Sequence, residues 1–222
     1  MKRSLILFTS IFLFLSCCSS ATRSSDTTMT FKQKVLKTIY PLLMKLGKST
    51  AQIDTLKHPP APVDFYSLHF TLNNDSAFLM SSCKGKKVLL VNTASNCGFT
   101  AQYDALEKLY LQYQDSLIII AFPANDFNNQ EKGDDATIAN FCKKNYGITF
   151  PIAKKASVIK KKDQQLVFKW LTDKTQNGWN VQEPTWNFCK YLINENGQLT
   201  HFFSSSIDPL GPEVHQALFN QP

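Results

Sequence analysis

The sequence predicts one α/β domain built in three layers, with helices on both sides of a central β-sheet. Two observations lead to this prediction. Strand-like and helix-like segments alternate from Val63 onward, and the chain then ends in a β-hairpin and a short helix. Of the 222 residues, 43% are hydrophobic and 18% are charged, which is typical of a globular protein. A chain of this length holds one domain of ordinary size together with extensions.

The elements of this domain are predicted from the spacing of its apolar residues. Val88–Thr93 is a continuous run of β-branched residues and leucines, which favours a buried central strand. Leu117–Phe122 is a second such run, closed by Pro123, and Phe65–Leu72 is expected to start a strand pair. The remaining predictions are a hairpin of Phe188–Asn194 and Gln198–Ser204, and helices over Ala101–Tyr113, Asp134–Tyr146, Gln164–Thr172 and Pro212–Phe219.

The N-terminus has the features of an export signal. Two basic residues precede Leu5–Leu15, an apolar stretch that is too short for an ordinary membrane span. A serine followed by Cys17 then resembles a bacterial lipoprotein signal, in which the cysteine becomes lipidated. The sequence leaves open whether Cys17 or Cys18 carries the lipid, or whether the signal is simply cleaved for secretion.

We therefore divide the chain into three parts. Residues 1–17 are an export signal, residues 18–62 are a tether with a short amphipathic helix and a Pro-rich linker, and residues 63–222 are the domain. The helix is expected within Phe31–Leu46, either kinked or split in two at Pro41. The expected location is the cell envelope or periplasm, with a lipid anchor in a membrane.

Charge and composition exclude several classes of function. The formal net charge of +7 comes from lysines in short, scattered runs, which favours solvated lysine faces over attraction to anionic lipid or an acidic partner. No long basic block is present, so no nucleic-acid partner is expected. The sequence has no C-x-x-C and no Cys/His cluster with zinc spacing, so we expect no metal and no other cofactor.

Cys97 is the first candidate for a reactive group. It follows the strand Val88–Thr93 through a polar turn, at the place where a helix is expected to begin. Unpaired N–H groups and the positive end of the helix macrodipole make ionisation of such a thiol easier. The alternative is a small buried apolar residue without chemistry.

Two polar segments follow the predicted buried strands. These are Asn96–Thr100 and Phe122–Glu131, and in an open sheet ligands gather beyond the carboxyl ends of the strands. Trp186–Phe188 opens the predicted hairpin, so this rule does not place it.

Four motifs occur in order along the chain: N-C-G-F-T, F-P-A-N-D-F-x-x-Q-E, F-C-K-K-N-Y-G-I-T-F-P and W-N-F-x-K-Y-L-I. In order and spacing they resemble the glutathione peroxidase family, over roughly Asp64 to Leu218. The resemblance implies a thioredoxin-like fold with a four-stranded central mixed sheet flanked by helices, and an N-terminal β-hairpin. It also implies a peroxidase that reduces hydrogen peroxide and organic or lipid hydroperoxides.

The resemblance implies a role for five side chains. Cys97 matches the peroxidatic residue, whose thiolate attacks a peroxide oxygen and becomes a sulfenic acid. Gln130, Trp186 and Asn187 match the rest of the catalytic tetrad, as neutral hydrogen-bond donors. Cys142 matches the resolving cysteine, which condenses with the sulfenic acid into an intramolecular disulfide. The helix that carries it is expected to unwind for this step.

The implied reductant is a thioredoxin-like protein rather than glutathione. The segment Gln176–Thr185 is short, as in the monomeric, thioredoxin-dependent branch of the family, so a monomer is also expected. Many relatives in that branch carry a third cysteine where this chain has Ala124, which leaves a two-cysteine version. Cys83 and Cys189 are expected to be structural thiols, with a disulfide between them left open. The alternative function is a peroxide sensor or relay that passes its disulfide to a partner protein.

Overall fold

The computed structural model describes residues 27–44, 51–53 and 60–219 of the chain. The predicted export signal, Cys17 included, and the first two residues of the Pro-rich linker, His58 and Pro59, lie outside these residues. In the described part the strands are β1 (Ala51–Ile53), β2 (His69–Thr71), β3 (Ala77–Leu79), β4 (Lys87–Thr93), β5 (Leu117–Pro123), β6 (Lys190–Ile193) and β7 (Leu199–Phe203). The helices are α1 (Phe31–Met44), α2 (Gln102–Tyr113), α3 (Asp135–Tyr146), α4 (Leu166–Leu171), α5 (Lys174–Asn177) and α6 (Pro212–Phe219).

The central sheet is mixed, and its strand order is β1-β7-β6-β4-β5. Strand β4 pairs in parallel with β5 and antiparallel with β6, so the predicted buried strand is an interior strand of the sheet. Strands β2 and β3 form a separate antiparallel hairpin. The predicted α/β architecture, with a central mixed sheet and an N-terminal β-hairpin, is confirmed.

The number of strands in the central sheet differs from the expected four. The fifth strand is β1, which pairs antiparallel with β7 so that Ala51 lies opposite Phe203 and Ile53 opposite His201. Without β1, strand β7 would be an edge strand with a row of unpaired N–H and C=O groups. A strand from the segment before the Pro-rich linker therefore takes part in the main sheet.

The core lies on both faces of this sheet. Along β4, Leu89 and Val91 pack into one apolar cluster, while Val88 and Leu90 pack into the other. Successive side chains of a strand point to opposite faces, and here both faces are covered, which explains why β4 reads as a continuous apolar run. The first cluster also contains Cys97 and places it on the same side of the sheet as α2 and α3.

The helices deviate from the predictions mainly at their ends. Helix α3 begins one residue later than predicted, because Asp134 is its N-cap and accepts a hydrogen bond from the Thr137 N–H. Helix α4 is shorter than the predicted Gln164–Thr172. The two-helix alternative for Phe31–Leu46 is wrong: Pro41 lies inside α1, where it removes one backbone donor without ending the helix.

The hairpin between β6 and β7 is confirmed, and its turn requires a glycine. Gly197 has a φ of 78°, and a Cβ added there would lie 2.8 Å from the Tyr66 ring. Among the helices that the structure describes, none is long and apolar enough to cross a membrane.

Candidate active site

Cys97 lies in the turn that joins β4 to α2, and its side chain is 4% exposed. The buried hydroxyl of Thr100 holds this turn in shape. Thr100 Oγ1 accepts the Cys97 N–H at 3.0 Å and lies within donating distance of the carbonyl oxygens of Ala94, at 2.9 Å, and Cys97, at 2.8 Å. The position of the sulfur is therefore fixed by buried hydrogen bonds rather than by an exposed loop.

Strand β4 also brings the segment Trp186–Phe188 to this turn, through the fully buried Asn92. Asn92 Nδ2 donates to the Trp186 carbonyl at 2.9 Å, and the Asn92 carbonyl accepts the Phe188 N–H at 2.6 Å. Phe188 has a φ of 68°, an uncommon conformation for a bulky residue that its surroundings must impose. Sequence reasoning missed Asn92; the available signal was one amide side chain within an apolar strand.

The structure brings the four predicted tetrad residues into one group. Asn187, which is fully buried, donates from Nδ2 to Gln130 Oε1 at 2.9 Å. The Gln130 carbonyl accepts the Asn96 N–H at 3.0 Å, which ties its loop to the turn of Cys97. The Phe99 N–H donates to the Cys97 sulfur at 3.4 Å, and the side chains of Trp186 and Asn187 favour its thiolate form by lowering the pKa.

The pKa of the Cys97 thiol is set by opposing effects. Burial raises the pKa above its usual value, and hydrogen bonds from the Phe99 N–H, Trp186, Asn187 and the Gly98 N–H lower it. Burial is the larger effect, so the reduced protein holds mostly thiol at neutral pH. The sequence predicted that the N-terminus of a helix would favour ionisation of Cys97. Helix α2 begins only at Gln102, however, so the N–H groups near the sulfur belong to the turn before the helix.

Glu131 supports the same turn and was given no role by the sequence analysis. Its Oε2 accepts the Ser95 N–H at 2.8 Å and lies 3.1 Å from Ser95 Oγ, while its own N–H donates to Asn125 Oδ1 at 2.9 Å. Burial raises the pKa of this carboxyl to about 7, although the two hydrogen bonds from Ser95 lower it. Its place directly after Gln130 was visible in the sequence, but its contact with Ser95 was not.

A cleft of about 230 Å³ opens beside Gln130. Asn96 lines it next to the turn of Cys97, and Phe141 of α3 contributes apolar surface. Thr28 and Gln33 also line the cleft, and both residues precede the predicted domain in the sequence.

Cys142 lies in α3 and is fully buried in the same apolar cluster as Cys97. Its thiol is free, and burial raises its pKa to about 12. At neutral pH this thiol is protonated, so the helical conformation shown here does not offer a thiolate for exchange.

The two other cysteines of the domain lie on the opposite side of the sheet. Cys83 and Cys189 are both free and fully buried in the second apolar cluster, so no disulfide joins them in this structure.

Lys190, which follows Cys189, is also fully buried, and its Nζ donates to the carbonyl oxygen of Ile207. Burial lowers the pKa of Lys190 to about 7.

A buried thiol at the end of a central strand, held by backbone, indole and amide donors, can be oxidised and stabilised without a metal ligand or a charged partner. The fold and the site together define a thiol-based oxidoreductase. Comparison with known proteins gives the family. The family model described as GSHPx, glutathione peroxidase, matches residues 65–172. The chain belongs to the glutathione peroxidase family and is a peroxidase.

Two relatives illustrate the similarity. The glutathione peroxidase-like peroxiredoxin GPX5 of Chlamydomonas reinhardtii is 42% identical over 158 residues, which cover 70% of this chain and 96% of that protein. The glutathione peroxidase-like peroxiredoxin gpx1 of Schizosaccharomyces pombe is 46% identical over 147 residues, covering 65% and 91% respectively. The crystal structure of Trgpx in its apo form aligns with a TM-score of 0.53 at 31% identity, over 70% of this chain and 92% of that one. The thioredoxin-like fold is thereby confirmed.

Asn187→Asp is expected to slow the oxidation of Cys97 by peroxide by about 100-fold, as loss of one donor to a reacting anion does in other enzymes. The change replaces the Nδ2 donor with an acceptor of similar size and adds a negative charge, and both effects raise the Cys97 pKa. The midpoint of the pH–rate profile therefore moves to higher pH. Rapid-mixing fluorescence across a pH series measures both effects.

The matched control is Asn128→Asp, which adds the same charge at an exposed residue of the loop that carries Gln130. This control should shift the profile only slightly, because solvent screens the exposed charge. Equal shifts in the two variants would show that charge, and not the lost donor, controls the thiol.

Proposed function

We propose that the protein reduces hydrogen peroxide and organic or lipid hydroperoxides in a two-cysteine cycle. The Cys97 thiolate attacks one peroxide oxygen, the O–O bond breaks, and the second oxygen takes a proton and leaves as water or an alcohol. The Cys142 thiol then condenses with the Cys97 sulfenic acid, which forms the disulfide and releases water. A thioredoxin-like dithiol reduces this disulfide and becomes a disulfide itself.

The observation that carries the proposal is the position of the Asn187 amide. Its Nδ2 donates to Gln130 Oε1, and the same side chain lowers the pKa of the Cys97 thiol by favouring the thiolate. A donor at this point stabilises the thiolate, while Asn187 Oδ1 is buried and has no hydrogen-bond partner within the described structure. An incoming hydroperoxide has an O–H group that this oxygen can accept.

The proposed reductant follows from the burial of both sulfurs. The Cys97 side chain is almost inaccessible, which disfavours direct attack by free glutathione on its sulfenic acid. A disulfide within one chain is instead a substrate for exchange with a dithiol protein. The names of the two relatives above contain the word peroxiredoxin, which is consistent with this cycle.

The segment between α5 and Trp186 supports the monomeric form that we propose. It is short, and buried amides hold its first part against the domain: Asn180 Nδ2 donates to the Leu171 carbonyl, and the Asn180 carbonyl accepts a hydrogen bond from Asn177 at the end of α5. A segment that is packed in this way does not extend from the domain towards a second subunit.

Peroxide turnover with two reducing systems tests the proposal. We expect sustained turnover with thioredoxin, thioredoxin reductase and NADPH, at least about tenfold faster than with glutathione and its reductase, because only the dithiol can resolve an intramolecular disulfide in one encounter. Faster turnover with glutathione would contradict the proposed reductant. A single turnover that stops at the disulfide would favour the sensor or relay instead.

We further propose that the protein is exported and anchored by a lipid on Cys17. Ten residues lead from Cys17 to the first described residue, Thr27, a distance of at most about 35 Å when fully extended. The outer side of α1 carries apolar residues four positions apart, with Phe31 83% exposed and Val35 and Ile39 partly exposed. Mass spectrometry of the mature protein tests the anchor, and a mature N-terminus without lipid would contradict it.

A further inference from the structure

The chain ahead of the family domain packs against that domain near the active site. Residues 27–40 form what we call the N-terminal strap, and they precede the residues matched by the glutathione peroxidase model. Met29 and Tyr40 of the strap are buried. Gln33 Nε2 donates to the Ser95 carbonyl at 2.8 Å, two residues before Cys97. The strap is therefore an ordered part of the catalytic unit.

Several polar contacts of the strap converge on the last turn of α3. Both polar atoms of the Asn145 side-chain amide form hydrogen bonds with the strap. Oδ1 accepts the Met29 N–H at 3.3 Å, and Nδ2 donates to the Thr27 carbonyl at 2.7 Å. The Asn145 carbonyl accepts a hydrogen bond from Lys37 Nζ at 2.9 Å. Carbonyl groups in the last turn of a helix lack helical partners, so this lysine satisfies one of them.

Lys37 connects three helices. Besides its bond to α3, its Nζ lies 3.0 Å from Asp104 of α2 and 4.3 Å from the centre of the Tyr146 ring. The favourable charge of a lysine near the C-terminal end of α3 adds to these contacts. Removal of this one side chain breaks an ion pair, a hydrogen bond and a cation–π contact together.

The last turn of α3 directly follows Cys142. The backbone of Cys142 takes part in the closure of the helix, since its carbonyl accepts the Ile148 N–H at 3.4 Å. Cys142 lies in the same apolar cluster as Tyr103, and its thiol is not bonded to Cys97. Opening of the end of α3, by which the thiol is expected to reach Cys97, would break the contacts with the strap.

We infer that the N-terminal strap holds the end of α3 closed through Lys37 and Asn145, and thereby sets the rate at which Cys142 resolves the Cys97 sulfenic acid. The inference rests on the proposed resolving role of Cys142. In the step concerned, the S–S bond forms, the S–O bond of Cys97 breaks, and the hydroxide leaves with the Cys142 proton as water. Lys37 and Asn145 are positioning residues, because neither takes part in this chemistry.

The test compares Lys37→Ala with Lys34→Ala in the otherwise unchanged protein. Lys34 is an exposed lysine of the same helix, so its replacement removes the same charge and leaves the contacts to α3 in place. After one equivalent of hydrogen peroxide, Lys37→Ala should form the Cys97–Cys142 disulfide about fivefold faster than wild type, which corresponds to about 1 kcal/mol. The preceding oxidation of Cys97 should keep its rate, and Lys37→Arg should restore slow disulfide formation.

Hydrogen exchange of the reduced protein separates this inference from the proposed function. Amides at the end of α3, residues 141–148, should exchange about fivefold faster in Lys37→Ala than in Lys34→Ala. Equal rates of disulfide formation in the two variants would overturn the inference. If the wild-type protein formed no Cys97–Cys142 disulfide, the resolving role of Cys142 would be overturned, and the inference with it. A difference in hydrogen exchange between the two variants would still show in that case that the strap restrains α3.

Discussion

Cys97→Ser is expected to abolish peroxide reduction, with the rate constant falling by more than about 10³-fold. A serine hydroxyl is far less acidic than a thiol, and its oxygen cannot accept a second oxygen atom to form a sulfenic acid. The surrounding donors would remain, but they stabilise an anion that serine does not form at neutral pH. Stopped-flow fluorescence and mass spectrometry after peroxide treatment measure the loss.

Cys83→Ser is the matched control for this variant. Cys83 is also buried, but it lies in the apolar cluster on the opposite side of the sheet. The control should react with peroxide at close to the wild-type rate if it remains folded, which circular dichroism can verify. Substantial peroxide reduction by Cys97→Ser would show that another cysteine is the peroxidatic one.

The second large effect is expected for Cys142→Ser. This variant should undergo the first oxidation at a rate within about twofold of wild type, because Cys142 contributes no hydrogen bond to the Cys97 sulfur. Turnover with thioredoxin should then stop, since no intramolecular disulfide can form. The sulfenic acid should persist long enough to be trapped by a sulfenic-acid reagent, and excess peroxide should drive it to the sulfinic acid.

A serine at this buried position keeps a hydrogen-bonding group near Tyr103, so the variant is less disruptive than an apolar one. Cys83→Ser again serves as the control, and it should keep thioredoxin-driven turnover. Undiminished turnover of Cys142→Ser with thioredoxin would contradict the resolving role. Recycling of Cys142→Ser by glutathione at the full wild-type rate would do so as well.

Local patterns predicted most of the fold. The apolar runs that became β4 and β5 and the helical spacing of α2, α3 and α6 depend on residues that are close in the chain. The five-stranded sheet could not be predicted in this way. Ala51–Ile53 is too short to be recognised as a strand, and it is ordered only because β7 offers it an edge about 150 residues later in the sequence.

The sequence by itself indicated the family, most of the order of the elements and the four candidate tetrad residues, because each depends on residue types within short motifs. Only the tertiary structure decided how those residues act on one another. Asn187 donates to Gln130, Asn92 holds the strained turn at Phe188, and burial outweighs the hydrogen-bond donors in setting the pKa of the Cys97 thiol.

The same distinction applies to the N-terminal strap. From the sequence it is predicted to be part of a tether with a short amphipathic helix, but no local signal shows where the apolar side of that helix packs. Its contacts with Asn145 and Asp104 join residues that lie more than 60 positions apart, and such contacts depend on the packing of three helices rather than on local propensity. The sequence therefore specified the two cysteines of the proposed cycle, and the packing of the helices decided how firmly Cys142 is held away from Cys97.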